Sequence, residues 1–252
     1  MKKYKKAFIT GGAQRIGFSI SKYLASKGID IAIQFNKSKK KVVELEKVAK
    51  KYNVQFYSIK SDFNEGNFDN LFHQIKKNFG TIDLLINNAS AFEFDTIKNS
   101  NSEIFDLHMN VNLKAPFFLS KYFINQSKNK KGLIINIIDQ RVKNITPYFS
   151  SYTISKSALY TMTKSIASLV APNIRVNGIS PGPTLKSKNQ NLQQFLNQVK
   201  RTPLMRKVDL DEINLAINYL INNKSVTGEV LTIDSGQSLG WAHTKSKVFT
   251  TD

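Results

Sequence analysis

The chain has 252 residues, of which 41% are hydrophobic, enough for the core of one sizeable α/β domain. It contains no cysteine, which excludes disulfides and cysteine-ligated metals and fits a reducing compartment. The formal net charge is +19, but the basic clusters lie at termini, turns and helix ends without interleaved aromatic residues. We therefore expect a small-molecule partner rather than nucleic acid. No apolar run approaches the roughly 18 residues of a membrane span or suggests a signal peptide, so we expect a cytoplasmic protein that keeps its N-terminus and binds no membrane.

Short apolar segments typical of buried strands alternate with segments of helical periodicity along the chain. The predicted strands are residues 7–10, 30–34, 54–59, 84–87, 133–138, 174–179 and 230–233. The predicted helices are residues 16–27, 39–51, 68–79, 103–127, 152–169 and 209–221. Strands and helices that alternate in this way form right-handed crossovers. The sequence therefore predicts one α/β domain over residues 1–252, with a seven-stranded, doubly wound parallel sheet and helices on both faces.

Two segments depart from this alternation. Residues 183–207 are rich in proline, asparagine and glutamine, and a long insertion of this kind is usually a lid or a binding loop. We predict that residues 183–207 form a substrate loop. Residues 237–252 are predicted to form a polar C-terminal tail with Leu239 and Trp241 as apolar exceptions. This tail is expected to reach a neighbouring subunit or to close the pocket.

The first predicted strand ends in the glycine-rich turn TGGAQRIG, residues 10–17, and a helix follows at once. Glycines let the backbone approach a pyrophosphate, and the free amides of the helix N-terminus then bind the anion. A tight turn without a ligand is the alternative, but the strand before and the helix after favour a Rossmann dinucleotide site. The predicted contacts in the turn are Gly11, Arg15, Ile16 and Gly17. Arg15 is expected to lie beside the phosphates or the adenine ribose.

The residue that selects between NAD and NADP is expected about 20 residues after this turn, at the end of the second strand. Counting that far from Gly17 reaches Lys37, in the run Asn36-Lys37-Ser38, which has no acid. Lys37, Ser38 and Arg15 could together hold a 2′-phosphate through charge-assisted hydrogen bonds. The alternative is that Lys37 is one more surface lysine. Because no carboxylate would repel the 2′-phosphate, we predict NADPH as the cofactor.

A tyrosine and a lysine with the spacing of a catalytic pair follow the fifth predicted strand. Tyr152 and Lys156 lie four residues apart, one helical turn, so both side chains face the same way. Such a pair is common by chance, but this one opens a helix and follows a cofactor turn in chain order. Asn112 lies on the preceding long helix, in the run MNVNLKAPFF. The ends of other strands carry the runs Asp62-Phe63, Asn88-Ala89-Ser90 and Pro181-Gly182.

Together these motifs resemble those of the short-chain dehydrogenase/reductase family, over about residues 6–236. The resemblance implies that Tyr152 is the general acid, that Lys156 lowers the pKa of its phenol and holds the nicotinamide ribose, and that Asn112 anchors a water relay. It implies a homotetramer or homodimer through helices 103–127 and 152–169. The family turn reads TGxxxGxG, and Arg15 replaces its middle glycine. The resemblance adds the cofactor contacts Asp62, Phe63, Asn88, Ala89, Ser90, Lys156, Pro181 and Gly182.

Asp139 is the most informative departure from the family pattern. The family places a serine 13 residues before the tyrosine, and in this chain that position is Asp139. A serine hydroxyl donates to a ketone oxygen that gains negative charge, whereas an ionised carboxylate opposes that charge unless it is protonated. A carboxylate suits a substrate that presents N–H donors or a ring nitrogen that takes up a proton.

With Asp139 at this position, Arg15 in the glycine turn and the run of residues 88–92, the chain closely resembles the pteridine reductases. It is similar also to the bacterial dihydromonapterin and dihydrofolate reductases of this fold. In that subgroup an Asp–Tyr–Lys set reduces a C=N bond of a pterin. The resemblance implies that Phe92 stacks on the pterin, opposite the nicotinamide, and that Phe149 adds a second aromatic wall. The implied substrate-binding residues are Phe92, Asp139, Phe149 and Tyr152.

Three functions are open at this point. The first is NADPH-dependent reduction of a dihydropterin or dihydrofolate. The second is reduction of a carbonyl such as a 3-oxoacyl thioester, with Asp139 as an isolated loss of the serine and Phe92 as ordinary packing. The third is a non-catalytic Rossmann protein that binds nucleic acid or senses the cofactor, against which the Asn–Tyr–Lys set argues. A metal site is not expected, because the histidines lack ligand spacing; they are His73, His108 and His243.

Overall fold

The computed structural model describes residues 4–126 and 131–240. Within these residues seven parallel strands form one sheet, in the order β3-β2-β1-β4-β5-β6-β7. The strands are β1 (Lys6–Ile9), β2 (Asp30–Phe35), β3 (Phe56–Lys60), β4 (Leu84–Asn87), β5 (Gly132–Ile137), β6 (Ile174–Pro181) and β7 (Val230–Ile233). The predicted seven-stranded, doubly wound parallel sheet of a Rossmann domain is confirmed.

Eight α-helices accompany the sheet in the described part of the chain. They are α1 (Arg15–Ser26), α2 (Lys39–Lys51), α3 (Phe68–Asn78), α4 (Ser102–Met109), α5 (Ala115–Asn125), α6 (Ser150–Val170), α7 (Leu192–Lys200) and α8 (Leu210–Asn222). Helices α1, α2 and α8 contribute to one hydrophobic core, and α3, α5 and α6 contribute to a second core.

Strands β1 to β6 contribute side chains to both cores, because successive side chains point to opposite faces of the sheet. In β1, Ala7 and Ile9 join the first core, whereas Phe8 joins the second, and all three are fully buried. Burial of a side chain such as Phe8 contributes about 2 kcal/mol. This burial on both faces explains why the strands appear in the sequence as nearly continuous apolar runs.

The strand order changes direction between β1 and β4, and ligands of such sheets bind in the crevice beyond the carboxyl ends at this point. A threonine joins the two strand ends there. The hydroxyl of Thr10 accepts hydrogen bonds from the backbone nitrogens of Asn88 and Ala89, both at 2.9 Å. The glycine turn after β1 and the Asn88-Ala89-Ser90 run after β4 are therefore held side by side.

The predicted helix 103–127 differs from the structure in its middle. A five-residue π-helical turn, Asn110–Lys114, separates α4 from α5. Pro116, in the first turn of α5, has no N–H and cannot make the α-helical hydrogen bond to the carbonyl of Asn112. The wider π turn accommodates this loss and contains Asn112. Residue 127, the predicted helix end, lies outside the described residues.

The segment 183–207 is not a loop throughout, because it contains α7. Asn191 and Gln194 form a reciprocal capping box at the start of this helix, with both hydrogen bonds at 2.8 Å. Phe195 and Val199, one turn apart, are buried. The prediction of a loop is wrong for these residues, since the asparagine and glutamine serve as a helix cap.

The C-terminal tail is described only as far as residue 240. Residues Gln237–Leu239 form a short 3₁₀ turn after β7. Trp241 and the rest of the predicted tail lie outside the described residues. In the described part of the chain, the helices are all too short or too polar to cross a membrane.

Candidate active site

A cavity of about 550 Å³ lies at the carboxyl ends of β1, β4, β5 and β6. Thirteen of the predicted site residues line it: Gly11, Arg15, Ile16, Asn88, Ala89, Ser90, Phe92, Asp139, Phe149, Tyr152, Lys156, Pro181 and Gly182. The predicted residues that lie outside its wall are Gly17, Asn36, Lys37, Ser38, Asp62, Phe63 and Asn112. Phe63 is buried and packs edge-on against Phe68, with the ring centroids 5.7 Å apart, so its side chain belongs to the hydrophobic core.

The glycines of the turn allow close packing of its backbone against neighbouring protein atoms. Gly11 has a φ of +60°, and a Cβ on Gly17 would lie 2.3 Å from the carbonyl oxygen of Gly11, so neither position tolerates a side chain. Gln34, buried in β2, accepts a hydrogen bond from the nitrogen of Gly11 at 2.8 Å and donates to the carbonyl of Ser61 at 2.6 Å. Gln34 is a positioning residue that the sequence analysis missed, although a lone glutamine in an apolar strand was a usable signal.

Arg15 joins the glycine turn to the substrate segment. Its φ is +51°, so it keeps the left-handed backbone that a glycine would adopt at this position. The guanidinium donates to the carbonyls of Lys186 at 2.8 Å and Leu185 at 3.0 Å. The structure therefore directs the Arg15 guanidinium to residues 185–186, and the expected joint contact of Arg15, Lys37 and Ser38 with a 2′-phosphate stays a prediction.

The residues after β2 form the far end of the crevice. Asn36 donates to the carboxylate of Asp62 at 2.8 Å, which ties the end of β2 to the segment after β3. Ser38 donates to the side chain of Gln14 at 3.2 Å, so Gln14 is used here and does not cap α1. Lys37 is exposed. The first-turn amides of α1 are consequently available to an anion. The exposed Lys37 follows the end of β2 and can add a positive charge for such an anion.

The carboxylate of Asp139 and the phenol of Tyr152 are in direct contact. The hydroxyl of Tyr152 donates to Oδ2 of Asp139 at 3.0 Å. The other carboxylate oxygen, Oδ1, accepts from the backbone nitrogen of Arg141 at 2.9 Å, because Asp139 caps the 3₁₀ turn Gln140–Val142. The acid that stands at the family's serine position is therefore held beside the phenol and inside the cavity.

The pKa of the Tyr152 phenol is raised in this pair. Burial raises the pKa of Tyr152 well above its usual value, and the charge and hydrogen bond of Asp139 raise it further, whereas the charge of Arg141 and a hydrogen bond of Ser90 lower it. Lys156 is not among the causes of this shift, and its predicted lowering of the phenol's pKa stays a prediction. Its Nζ donates to the carbonyl of Ile137 at 2.9 Å and lies 5.8 Å from the Tyr152 ring centroid. Tyr152 therefore keeps its proton at neutral pH.

Lys156 is itself perturbed by burial. The side chain is 2% exposed, and burial lowers its pKa to about 8, while the charge of Asp139 acts in the opposite direction. At pH 7 the ammonium is still largely charged. It supplies the one buried cation that the Tyr–Lys motif requires beside the cavity wall.

Asn112 supports the site from behind the wall. It is fully buried, and its Oδ1 accepts from the nitrogen of Ala91 at 2.8 Å and from the hydroxyl of Ser90 at 3.1 Å. Its Nδ2 donates to the carbonyl of Ala91 and to the hydroxyl of Ser155, both at 3.1 Å. The π turn thus fixes the segment after β4 against α6. The predicted water relay through Asn112 stays a prediction.

An aromatic wall stands beside the Asp139–Tyr152 pair. The rings of Phe92 and Phe149 are stacked, with centroids 4.4 Å apart and an interplanar angle of 9°. Tyr152 meets Phe92 edge-to-face at 4.7 Å, and the guanidinium carbon of Arg141 lies 4.7 Å from the centroid of Phe149. A planar ligand in the cavity can stack on this wall while its edge reaches the carboxylate.

The mouth of the cavity is spanned by an ion pair that the sequence analysis missed. Lys188, in the substrate segment, pairs with Glu93, which follows the Phe92 position after β4. Both side chains line the cavity. Together with Arg15, this ion pair holds residues 185–188 over the opening. The partners lie too far apart in sequence for a local pattern to indicate them.

No group of three or more histidine, aspartate or glutamate side chains within residues 4–126 and 131–240 is arranged to hold a metal ion. The ionisable side chains that line the cavity are the phenol of Tyr152, two carboxylates and four cations: Asp139, Glu93, Arg15, Arg141, Lys156 and Lys188. A parallel sheet with a glycine turn at its switch point, and a Tyr–Lys pair in the same crevice, is the architecture of a dinucleotide-dependent oxidoreductase.

Comparison with known proteins agrees with this class. A family model described as enoyl-(acyl carrier protein) reductase matches residues 11–238. The 3-oxoacyl-[acyl-carrier-protein] reductase FabG of Buchnera aphidicola is 31% identical over 246 residues, 94% of this chain and 98% of that protein. An uncharacterized oxidoreductase of Thermotoga maritima is 30% identical over 93% of this chain and 97% of its own.

The chain is also similar to a solved structure over nearly its whole length. The crystal structure of FolM alternative dihydrofolate reductase 1 from Brucella suis, in complex with NADP, is 38% identical to this chain. It superposes with a TM-score of 0.91 and covers 97% of this chain and 99% of its own. The chain belongs to the short-chain dehydrogenase/reductase family, as its motifs predicted.

Proposed function

We propose that this protein is an NADPH-dependent reductase that reduces a C=N bond of a dihydropterin or a dihydrofolate. The observation that carries the proposal is the 3.0 Å hydrogen bond between the hydroxyl of Tyr152 and the carboxylate of Asp139, beside an aromatic wall. The likeness to FolM from Brucella suis supports it, because that protein is named a dihydrofolate reductase and was crystallised with NADP.

The residues of the crevice fit the proposed cofactor, which supplies a hydride when bound. Gly11 lines the cavity at the turn that leads into α1, where a pyrophosphate would bind the amides of the helix N-terminus. Lys37 and Ser38 offer a cation and a hydroxyl to a 2′-phosphate at the end of β2, where an NAD-preferring site would carry an acid. The ammonium of Lys156, in the cavity wall, would hold the nicotinamide ribose.

The carboxylate argues against a ketone. A ketone oxygen that accepts a hydrogen bond of about 2.7 Å from Tyr152 would lie about 4–5 Å from the Asp139 oxygen that is 3.0 Å from the same hydroxyl. Two like unit charges at about 5 Å repel by about 3 kcal/mol at an effective dielectric constant of about 20. This repulsion would slow formation of an alkoxide by more than about a hundredfold. The same carboxylate can accept hydrogen bonds from the N–H groups of an aminopyrimidine ring, so it favours a pterin.

The Tyr152–Asp139 pair can deliver the proton that a C=N bond requires. Tyr152 keeps its proton at neutral pH, because burial and the neighbouring carboxylate raise its pKa. The proton lies between two oxygens, and a ring nitrogen held by Asp139 would lie next to it. After transfer, the charge of Lys156 partly offsets the negative charge left on the pair.

Substitution of Asp139 tests the proposal. We expect Asp139→Ser to lower kcat/KM for a dihydropterin and for dihydrofolate at least about a hundredfold, and to raise turnover of a 3-oxoacyl thioester. Asp139→Asn should also lose dihydropterin reduction, because its amide cannot share the proton. Asp106→Asn, on α4 outside the cavity, is the control. Undiminished dihydropterin reduction by Asp139→Ser would contradict the proposal.

A second candidate function is NADPH-dependent carbonyl reduction, which the 31% identity to the Buchnera aphidicola 3-oxoacyl reductase favours. In that case the wild-type protein would prefer a 3-oxoacyl thioester, and Asp139→Ser would preserve or improve its turnover. A non-catalytic Rossmann protein, the third possibility, would show salt-dependent binding of nucleic acid without turnover.

We also propose a homotetramer or a homodimer. Four exposed apolar side chains lie on the helices implied by the family resemblance: Phe105 on α4, Phe117 on α5, and Ile154 and Leu169 on α6. Their burial in a subunit contact would remove apolar surface from water. Light scattering on the purified protein distinguishes the monomer from either oligomer. The cytoplasmic location expected from the cysteine-free composition stays a prediction.

A further inference from the structure

A buried polar network lies behind the catalytic helix. Asp95 follows β4, His108 lies on α4, and Ser151 occupies the first turn of α6, directly before Tyr152; they are 1%, 0% and 2% exposed. The hydroxyl of Ser151 donates to Oδ2 of Asp95 at 2.6 Å, and Nδ1 of His108 lies 2.7 Å from that hydroxyl oxygen. None of these residues lines the cavity.

The direction of the hydrogen bonds follows from one fixed donor. Nε2 of His108 accepts from the backbone nitrogen of Glu93 at 3.0 Å, and a backbone N–H can only donate. A neutral imidazole must therefore carry its proton on Nδ1 and donate it to Ser151, whose own proton goes to Asp95. Burial lowers the pKa of His108, which keeps the ring neutral. Burial acts against ionisation of Asp95, but hydrogen bonds from Ser151 and Ser100 lower its pKa. The series of hydrogen bonds from His108 through Ser151 therefore ends on an ionised carboxylate.

Asp95 also caps α6 from a distant segment. The N-cap residue of α6 is Phe149, a hydrocarbon ring that cannot accept a hydrogen bond, held at a φ of +59°. The nitrogen of Ser151 donates to the carboxylate of Asp95 at 3.1 Å, and the nitrogen of Phe149 donates to the Asp95 carbonyl at 2.7 Å. A carboxylate at a helix N-terminus is favourable, and it sets the position of the first turn.

We propose that Asp95, Ser151 and His108 form a positioning unit for the reacting groups. Ser151 and Asp95 set the first turn of α6, so that the Tyr152 hydroxyl stays on Asp139. His108 joins this turn to Glu93 and thereby holds the neighbouring aromatic wall. The inference rests on the proposed role of Tyr152 as the proton donor. No member of the network lines the cavity or contacts Asp139, so the network acts on Tyr152 through the segments that it holds.

The pH at which the Tyr152 hydroxyl ionises depends on where this hydroxyl lies relative to its neighbours, so its ionisation measures its position. The titratable groups that face it are Asp139 after β5, Arg141 in the 3₁₀ turn, Lys156 on α6 and His108 on α4, whose ring centroid is 5.8 Å away. Among these, the contact with Asp139 holds the proton on the phenol. Loss of the network should loosen this contact, and Tyr152 should then ionise at lower pH. Partial unfolding would instead reduce activity at every pH without moving the alkaline limb of the profile.

The test compares Ser151→Ala with Ser157→Ala, which removes the same atom six residues further along α6. Protein labelled with ¹³Cζ-tyrosine and saturated with NADPH is measured by NMR at pH 10, with Tyr152→Phe to assign the signal. We expect Tyr152 to stay protonated in the wild type and in Ser157→Ala, and to be more ionised in Ser151→Ala. Equal ionisation in all three proteins overturns the proposal.

A second pair keeps the proposal testable if Ser151→Ala does not fold. The amide of His108→Asn can take the place of Nδ1 and keep the link to Ser151, whereas the amide of His108→Gln can take the place of Nε2 and keep only the link to Glu93. We expect more ionised Tyr152 in His108→Gln than in His108→Asn. The same ionisation in both variants contradicts the positioning role.

The two proposals fail in different ways. The NMR measurement needs no substrate. It can therefore contradict the positioning role in an enzyme that reduces dihydropterins, and it can support this role in a protein that does not reduce them. In an active enzyme, we expect Ser151→Ala to lower kcat about tenfold and to move the alkaline limb to lower pH. NADPH affinity should stay within about twofold, because the network lies away from the cofactor crevice.

Discussion

Replacement of Arg15 by glycine separates two properties of this residue, its left-handed backbone and its hydrogen bonds to the substrate segment. The φ of Arg15 is +51°, which costs a residue with a side chain roughly 1–2 kcal/mol. Glycine avoids this strain but loses roughly 0.5–1 kcal/mol through the greater entropy of the unfolded chain. These opposing backbone effects alone should change the free energy of unfolding of Arg15→Gly by less than about 1 kcal/mol.

The effect on the substrate segment should be larger. Arg15 donates two hydrogen bonds, to the carbonyls of Lys186 and Leu185. A charged donor contributes roughly 1.5–3 kcal/mol, which we reduce to about 1 kcal/mol for each bond because the guanidinium is partly exposed. A loss of about 2 kcal/mol would shift the equilibrium between the closed and open segment about thirtyfold. The KM of the substrate should rise by up to this factor, with a smaller change in kcat.

Hydrogen exchange of residues 185–190 and steady-state kinetics measure the two effects. Exchange in this segment should accelerate in Arg15→Gly while exchange in the sheet stays unchanged. Asn53→Gly is the matched control, because exposed Asn53 also has a φ of +51° but lies after α2, away from the cavity. Unchanged exchange and an unchanged KM in Arg15→Gly would refute the argument that Arg15 holds the segment closed.

Three further predictions concern the cofactor and the buried lysine. Lys37→Asp should lower kcat/KM for NADPH at least about tenfold and impair NADH less, whereas Lys40→Asp, with the same charge change, should leave the preference unaltered; equal effects of both substitutions would rule out a phosphate contact at Lys37. Gln34→Leu should strand the nitrogen of Gly11 and weaken NADPH binding about tenfold in a fluorescence titration, and unchanged affinity would contradict this. Lys156→Met should be more stable than the wild type at pH 7 by up to about 3 kcal/mol in urea unfolding, because the folded wild type holds a buried ammonium whose pKa is lowered to about 8. The folded wild type loses this proton above about pH 8, whereas the unfolded chain retains it up to about pH 10.5. The difference in the free energy of unfolding between Lys156→Met and the wild type should therefore shrink as the pH rises from 8 to 10.5, and a difference independent of pH would refute this prediction.

The strands could be predicted closely because their signal is local. Each predicted strand agrees with the observed one to within two residues at either end, since burial on both faces makes the strands apolar throughout. The Tyr152–Lys156 pair and the glycine turn were equally accessible, because four-residue spacing and a strand–turn–helix order are properties of short segments. The contact of Asp139 with Tyr152 followed from their separation in a known family pattern.

The contacts that the sequence did not reveal join distant segments. Arg15 reaches a carbonyl 171 residues away, and Asp95 binds Ser151 across 56 residues. No periodicity or local spacing encodes such a contact, because it depends on how the crossovers bring loops together. The raised pKa of Tyr152 was missed for the same reason, since burial in the folded chain determines it.

The most direct test of the proposed chemistry is the substrate preference of the wild-type protein. Loss of NADPH absorbance gives kcat/KM for a dihydropterin, for dihydrofolate and for a 3-oxoacyl thioester under one set of conditions. Because a carboxylate stands beside the proton donor, we predict that the best of the two nitrogen heterocycles exceeds the thioester at least about a hundredfold. A preference for the 3-oxoacyl thioester over both heterocycles would contradict the account.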